Sequence, residues 1–136
     1  MESKAISLGD YLQRSDWKKE KHVPVIEVIG QPQKGKPFEV RLSVGKEVPH
    51  PHTTGHHIRF SKLFFQPEGE QFTIHLGTFT FEAHGESVQG PDLGSAKCEP
   101  SVTASVTLEK PGILLALSYC NIHGLWENVR EIEPAE

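Results

Sequence analysis

The chain is poor in sulfur. Its 136 residues include two cysteines, Cys98 and Cys120, and one methionine, Met1. Two thiols do not make a disulfide framework, so the default reading is a reducing, cytoplasmic setting with at least one thiol free for chemistry. No apolar run approaches the roughly 20 residues of a membrane helix, and Met1–Ile6 lacks the apolar core of a signal peptide. Neither a membrane partner nor secretion by that route is expected. Positive charge is not in excess either: 14 Lys and Arg stand against 18 Asp and Glu, which argues against nucleic acid as a partner. A sustained helical period is also missing, as is any internal repeat.

What the chain has instead is alternation. Phe38, Val40, Leu42 and Val44 alternate with Glu39, Arg41 and Ser43, the period-two pattern of a half-buried strand. Val23–Val28 reads as an edge strand, because Pro24 cannot donate to a ladder. His57–Phe65 is a longer strand whose later half is apolar on both sides. Phe72–Leu76 forms another strand, Gly77 punctuates, and Thr78–Ala83 continues the sheet. Val102–Leu108 and Ile113–Tyr119 are strands, and Leu125–Ile132 adds a last short one. Seven or so short strands with turns between them predict an all-β chain, an immunoglobulin-like antiparallel β-sandwich. The length fits one domain. Residues 1–19 are read as an N-terminal arm, with Ser7 and Asp10 set to cap a short turn and Trp17 to tie the arm down; residues 20–136 form the sandwich domain. The stretch from Gly85 to Pro100 is a long loop, and loops of that length are usually functional or mobile.

Eight histidines make up for the scarce sulfur, and four of them fall in Pro49-His50-Pro51-His52-Thr53-Thr54-Gly55-His56-His57-Ile58. Prolines and a glycine stiffen and turn this segment, so it is a loop that holds up imidazoles, the commonest protein metal ligands. Cys120-Asn121-Ile122-His123 offers a thiolate and a ring three residues apart, and Glu20-Lys21-His22 offers another ring. Thiolate with imidazole suits iron, copper or zinc, not magnesium or calcium. His22, His50, His56, His123 and Cys120 are the five candidate ligands, with His52 and His57 in reserve. A closed zinc site needs four. A blue-copper site wants an axial methionine, and only Met1 exists. Four nitrogens and one thiolate leave a sixth position open, which suits redox-active iron. The plainer readings are that His75 faces solvent, His84 is a loop hydrogen-bonder, Cys98 is a spectator thiol, and Lys18, Lys19 and Lys21 are a solvated face.

The runs Glu20–Val25, Pro49–Pro51 with Thr53-Thr54 and His56–Ile58, Ala83–Ser87, and Ser118–Trp126 together resemble superoxide reductases of the one-iron neelaredoxin type, the iron-binding domain of the desulfoferrodoxin family. The likeness runs over nearly all of the chain beyond the first fifteen or so residues. Longer members carry a further four-cysteine iron domain, for which Cys98 and Cys120 are too few. The resemblance implies one iron per chain, cycling between Fe2+ and Fe3+, with His22, His50, His56 and His123 around it and Cys120 axial. It implies Glu20 as the sixth ligand of the oxidised form and Lys21 as the residue that attracts superoxide. The implied reaction is one-electron reduction of superoxide to hydrogen peroxide, with rubredoxin or a similar donor returning the electron and a homo-oligomer, such as a tetramer, as the working form. His52 stands where the family commonly has asparagine, so whether it competes with His50 stays open. Two other readings of the residues remain: a non-catalytic iron electron carrier, and a structural zinc-binding β-sandwich.

Overall fold

Alternating apolar residues need a shared interior, and the strands supply it by facing one another across two sheets. The structure, a computed structural model, describes residues 6–136; Met1 and the start of the expected arm lie outside the described residues. The strands are β1 (Pro24–Ile29), β2 (Phe38–Val44), β3 (Ile58–Pro67), β4 (Ile74–Thr80), β5 (Ser101–Val106), β6 (Gly112–Cys120) and β7 (Gly124–Ile132). They form a three-stranded sheet, β1-β2-β5, and a four-stranded sheet, β4-β3-β6-β7, with every pairing antiparallel. Val40, Leu42, Leu63, Phe65, Leu114 and Ala116 fill the space between the sheets. The all-β sandwich expected from the alternation is what forms, and β1 lies at a sheet edge as Pro24 predicts. No described helix is long and apolar enough to cross a membrane.

Two strands differ from expectation. The last is not short: β7 pairs with β6 along its whole length, from Cys120↔Gly124 to Gly112↔Ile132. Gly77 does not divide two strands either. It lies inside β4, where the register shifts so that Leu63 faces Gly77 and Phe64 faces His75. Leu76 is the extra residue, a β-bulge that bends the strand without ending it.

The arm is tied down in more ways than Trp17 suggested. The Asp10 carboxylate accepts the Ser7 backbone N–H at 3.0 Å, closing the turn Leu8–Asp10. Gln13 exchanges backbone hydrogen bonds of 3.0 Å with Leu125 and Glu127, and Arg14 pairs with Glu127, so the arm covers part of the open β7 edge. Trp17 packs under the Lys18 and Lys46 ammonium groups.

Antiparallel pairing decides where the chemistry goes. Pro24 lies opposite Val44, Ile58 opposite Cys120, and Cys120 opposite Gly124. The start of β1, the end of β2, the start of β3, the end of β6 and the start of β7 therefore mark the residues that flank His22, the histidine loop, Cys120 and His123. The loop of residues 85–100 braces this end. Its Asp92 carboxylate accepts the Thr54 N–H at 2.7 Å, and the loop is closed on itself by Gly85 N–H to Ala96 C=O and Gly94 N–H to Gly85 C=O. Cys98 is half-buried against a small apolar cluster that includes Cys120.

Candidate metal centre

Each ligand candidate is delivered by a strand end. His22 lies two residues before the first residue of β1, and its carbonyl accepts the buried Ser118 hydroxyl at 3.0 Å. His50 follows β2 after a turn at Gly45. Gly45 has φ +88°, and a Cβ there would meet the His50 backbone nitrogen at 2.7 Å, so only glycine permits both the turn and the close approach. Cys120 ends β6, fully buried among Val44, Ile58 and Phe81. The Cys120–His123 turn folds back so that the His123 N–H donates to Sγ at 3.3 Å, as expected for a backbone donor that tunes a thiolate.

The rings converge. One ligand atom each from His22, His56, Cys120 and His123 lie within 4.8 Å of one another. His123 Nδ1 is 3.1 Å from His22 Nε2 and 3.2 Å from His56 Nε2. Two donors about 2.1 Å from one metal and at right angles lie about 3.0 Å apart, given ordinary imidazole–metal lengths, so these are the separations of adjacent ligands. His50 completes a girdle: its ring centroid is 4.9 Å from that of His22 and 4.7 Å from that of His56. The His22–His123 and His56–His123 centroids are 4.6 and 5.0 Å apart. His22 and His56 lie farther apart, at 6.3 Å, so the order around the girdle is His22, His123, His56, His50.

Protonation fits a ligand set. His50 Nδ1–H donates to the Pro51 carbonyl at 2.8 Å, and its Nε2 is buried without any partner. A buried polar atom left bare costs roughly 1–3 kcal/mol, and a metal ion would satisfy it. His22 donates Nδ1–H to Glu20 Oε1 at 2.6 Å, which leaves Nε2 as the free lone pair. Burial pushes the His22 and His56 rings below the usual histidine value, and pushes His50 down to about 4. Burial raises the Glu20 carboxyl, but the hydrogen bonds from the His22 ring and backbone outweigh this and hold it low. These rings are harder to protonate in the folded chain than in the unfolded one, so acid favours unfolding. The metal-free protein is expected to be fully stable above about pH 6.5 and to lose stability as pH falls towards about 4. Thermal melts of the metal-free protein across that range test this; a constant midpoint would contradict it.

The other candidates go elsewhere. His52 pairs with Glu99 at 3.0 Å. His57 Nδ1 donates to the Thr53 carbonyl at 2.8 Å, and its ring stacks on His84 with centroids 3.5 Å apart. His84 is more than a loop hydrogen-bonder: its ring is buried in that stack, with Nδ1 unpartnered. His75 is exposed and bonds Thr78. Glu20 does not point into the cluster but sits on His22. Lys21, next to His22 in sequence, is half-buried, and its charge disfavours protonation of both His22 and His56. Three contributors had no individual signal in the sequence: Ser118, Asn121, and Trp126, whose indole stacks on His22 at 5.0 Å. Only their place within the run Ser118–Trp126 hinted at a role.

The chain matches the family described as desulfoferrodoxin over residues 14–129. The superoxide reductase of Pyrococcus furiosus is 49% identical over 126 residues, covering 93% of this chain and 99% of the relative. The neelaredoxin of Megalodesulfovibrio gigas is 46% identical over 127 residues, covering 93% and 98%. Among solved structures, the reduced superoxide reductase (neelaredoxin) of Archaeoglobus fulgidus superposes with a TM-score of 0.85 at 50% identity, covering 90% of this chain and 98% of that one.

Proposed function

This chain belongs to the desulfoferrodoxin family and is a superoxide reductase, and we propose that its metal is iron, one atom per chain, held by His22, His50, His56, His123 and Cys120. The observation that carries this is the girdle of four rings beside one buried sulfur, with the lone pair of His50 Nε2 left bare. Iron held there would supply the single electron, passing from Fe2+ to Fe3+, by which superoxide, with two protons, becomes hydrogen peroxide. A thiolate ligand is one lever by which proteins push electron density onto iron, and Cys120 is the residue in place to do so.

Lys21 attracts the anion. Its charge is felt by both the His22 and His56 rings, and Lys18 and Lys19 are exposed close by in sequence, so a local positive field forms in a chain of net negative charge. Glu20 would supply the sixth ligand of the oxidised form by leaving His22. Its hydrogen bond to His22 Nδ1 keeps the carboxylate one ring away from the open position. The electron returns from an external donor such as rubredoxin, which would approach the Cys120–His123 turn, where Ile122 and His123 are exposed. Two unpaired thiols fit a cytoplasmic home.

The working form is a homo-oligomer. Phe60, Phe64, Leu115, Leu117 and Tyr119 point away from the core on the outer face of the four-stranded sheet and are only half-buried. A partner surface is the usual reason for an apolar face of this kind. Light scattering should give a mass above that of one chain, and a monomer at micromolar concentration would count against it.

Mixing reduced, metal-loaded protein with superoxide is expected to yield one hydrogen peroxide per superoxide and no dioxygen. Dioxygen release would mean dismutation, and no peroxide would leave only an electron carrier. Metal analysis should find iron; zinc in a colourless active protein would remove the assignment. Lys21→Ala is expected to slow superoxide consumption mainly at low salt, because steering is screened by ions. Glu20→Ala removes the partner of His22 Nδ1 and is expected to weaken metal binding, while the fully metal-loaded variant keeps the first reductive step nearly intact.

A further inference from the structure

We propose that Asn121 is the positioning residue for His56, and that it acts through the backbone on either side of that ring. This rests on the ligand set given above. A metal-binding imidazole normally has its orientation set by a partner on its other nitrogen. Glu20 does this for His22 and the Pro51 carbonyl does it for His50. His56 Nδ1 and His123 Nε2 make no such bond among the described residues. His123 has another anchor: its N–H is held by the Cys120 sulfur and its carbonyl by the Trp126 indole at 3.1 Å.

For His56 the anchor is the Asn121 amide. Its Oδ1 accepts the His57 N–H at 2.8 Å, and its Nδ2 donates to the Gly55 carbonyl at 3.0 Å. The Asn121 backbone N–H donates to the His57 carbonyl at 3.1 Å. The two peptide units that flank His56 are therefore both fixed to the residue next to Cys120. Thr53 closes the loop from inside: its N–H donates to the His56 carbonyl at 3.0 Å, and its hydroxyl accepts the His56 N–H at 3.0 Å. Nothing lies within 4 Å of a Cβ at Gly55, so side-chain packing there supplies no substitute. Only an amide side chain of this length carries an acceptor and a donor on one planar group. Asn121, bonded to a carbonyl 66 residues away, thus sets the distance between the His56 ring and the sulfur.

The test uses the full chain and Co2+ as probe, because a cobalt–thiolate band reports the sulfur and does not depend on which metal is native. Asn121→Ala and Asn121→Leu are expected to weaken Co2+ binding about 10–100-fold, the usual effect of losing an outer partner, and to shift the sulfur-to-cobalt band. Amide exchange at His57 in the metal-free protein should speed up. Arg130→Ala is the control. It removes a 2.8 Å bond to the Ile26 carbonyl at a distance from the rings, and should lower thermal stability while leaving the band unmoved. If the Asn121 variants behave like this control, with reduced stability but unchanged affinity and band, Asn121 is a structural tie only and the proposal fails. Finding zinc in place of iron in the native protein would overturn the iron assignment without touching this one.

Discussion

Replacing Cys120 with serine is expected to bleach the oxidised protein and to cut superoxide reduction by more than about 100-fold, since loss of an outer partner alone costs 10–100-fold. The sulfur has no exposed surface, accepts the His123 N–H and lies on the protein side of the rings. A serine oxygen is smaller and harder, and at neutral pH it stays protonated, so neither charge nor polarisability is passed to the metal. Its hydroxyl would also sit among Val44, Ile58 and Phe81. The variant is expected to keep its β-sheet circular dichroism while losing visible absorption. A variant with full metal content and an unchanged visible band would show that the sulfur is not a ligand.

The second large effect separates two neighbours in the histidine loop. His50→Ala is expected to lower metal affinity by more than about 100-fold, beyond the range for an outer partner, whereas His52→Ala leaves affinity and spectrum near those of the unaltered protein. The reason lies in their partners. His50 is 3% exposed and its Nε2 faces no protein atom able to bond it. The His52 ring is committed to Glu99 on the outer side of the loop. Metal content by mass spectrometry, with the visible spectrum alongside, decides the matter. Equal losses in both variants would mean that His52 can take the place of His50.

Much of this was written in the sequence, for reasons that can be named. The alternation in Phe38–Val44 and Ser101–Val106 survives in the fold because each strand has one face in the core. β7 is less legible. Glu127, Asn128, Arg130 and Glu131 interrupt its apolar residues, and its length is set by pairing with β6 instead of by its own pattern. The bulge at Leu76 arises from register with β3, which no local pattern encodes. At the metal centre, residue type marked His22, His50, His56, His123 and Cys120, because rings and thiols are scarce enough to stand out. Choosing His56 over His57 is a different matter. Adjacent residues point to opposite sides of the chain, and only the fold shows that His57 stacks on His84. Ser118 and Asn121 act on carbonyls 96 and 66 residues away, contacts that leave no spacing to read.

The span of the ligands has a consequence for how the protein is made. Three rings, at positions 22, 50 and 56, leave the ribosome before the sulfur and the fourth ring, at positions 120 and 123. A growing chain that stops short of Cys120 holds imidazoles but no soft anchor, so a redox-active ion gains no high-affinity hold on it. Metal capture therefore waits for the segment that carries Cys120, and the captured ion would then tie together rings 101 positions apart.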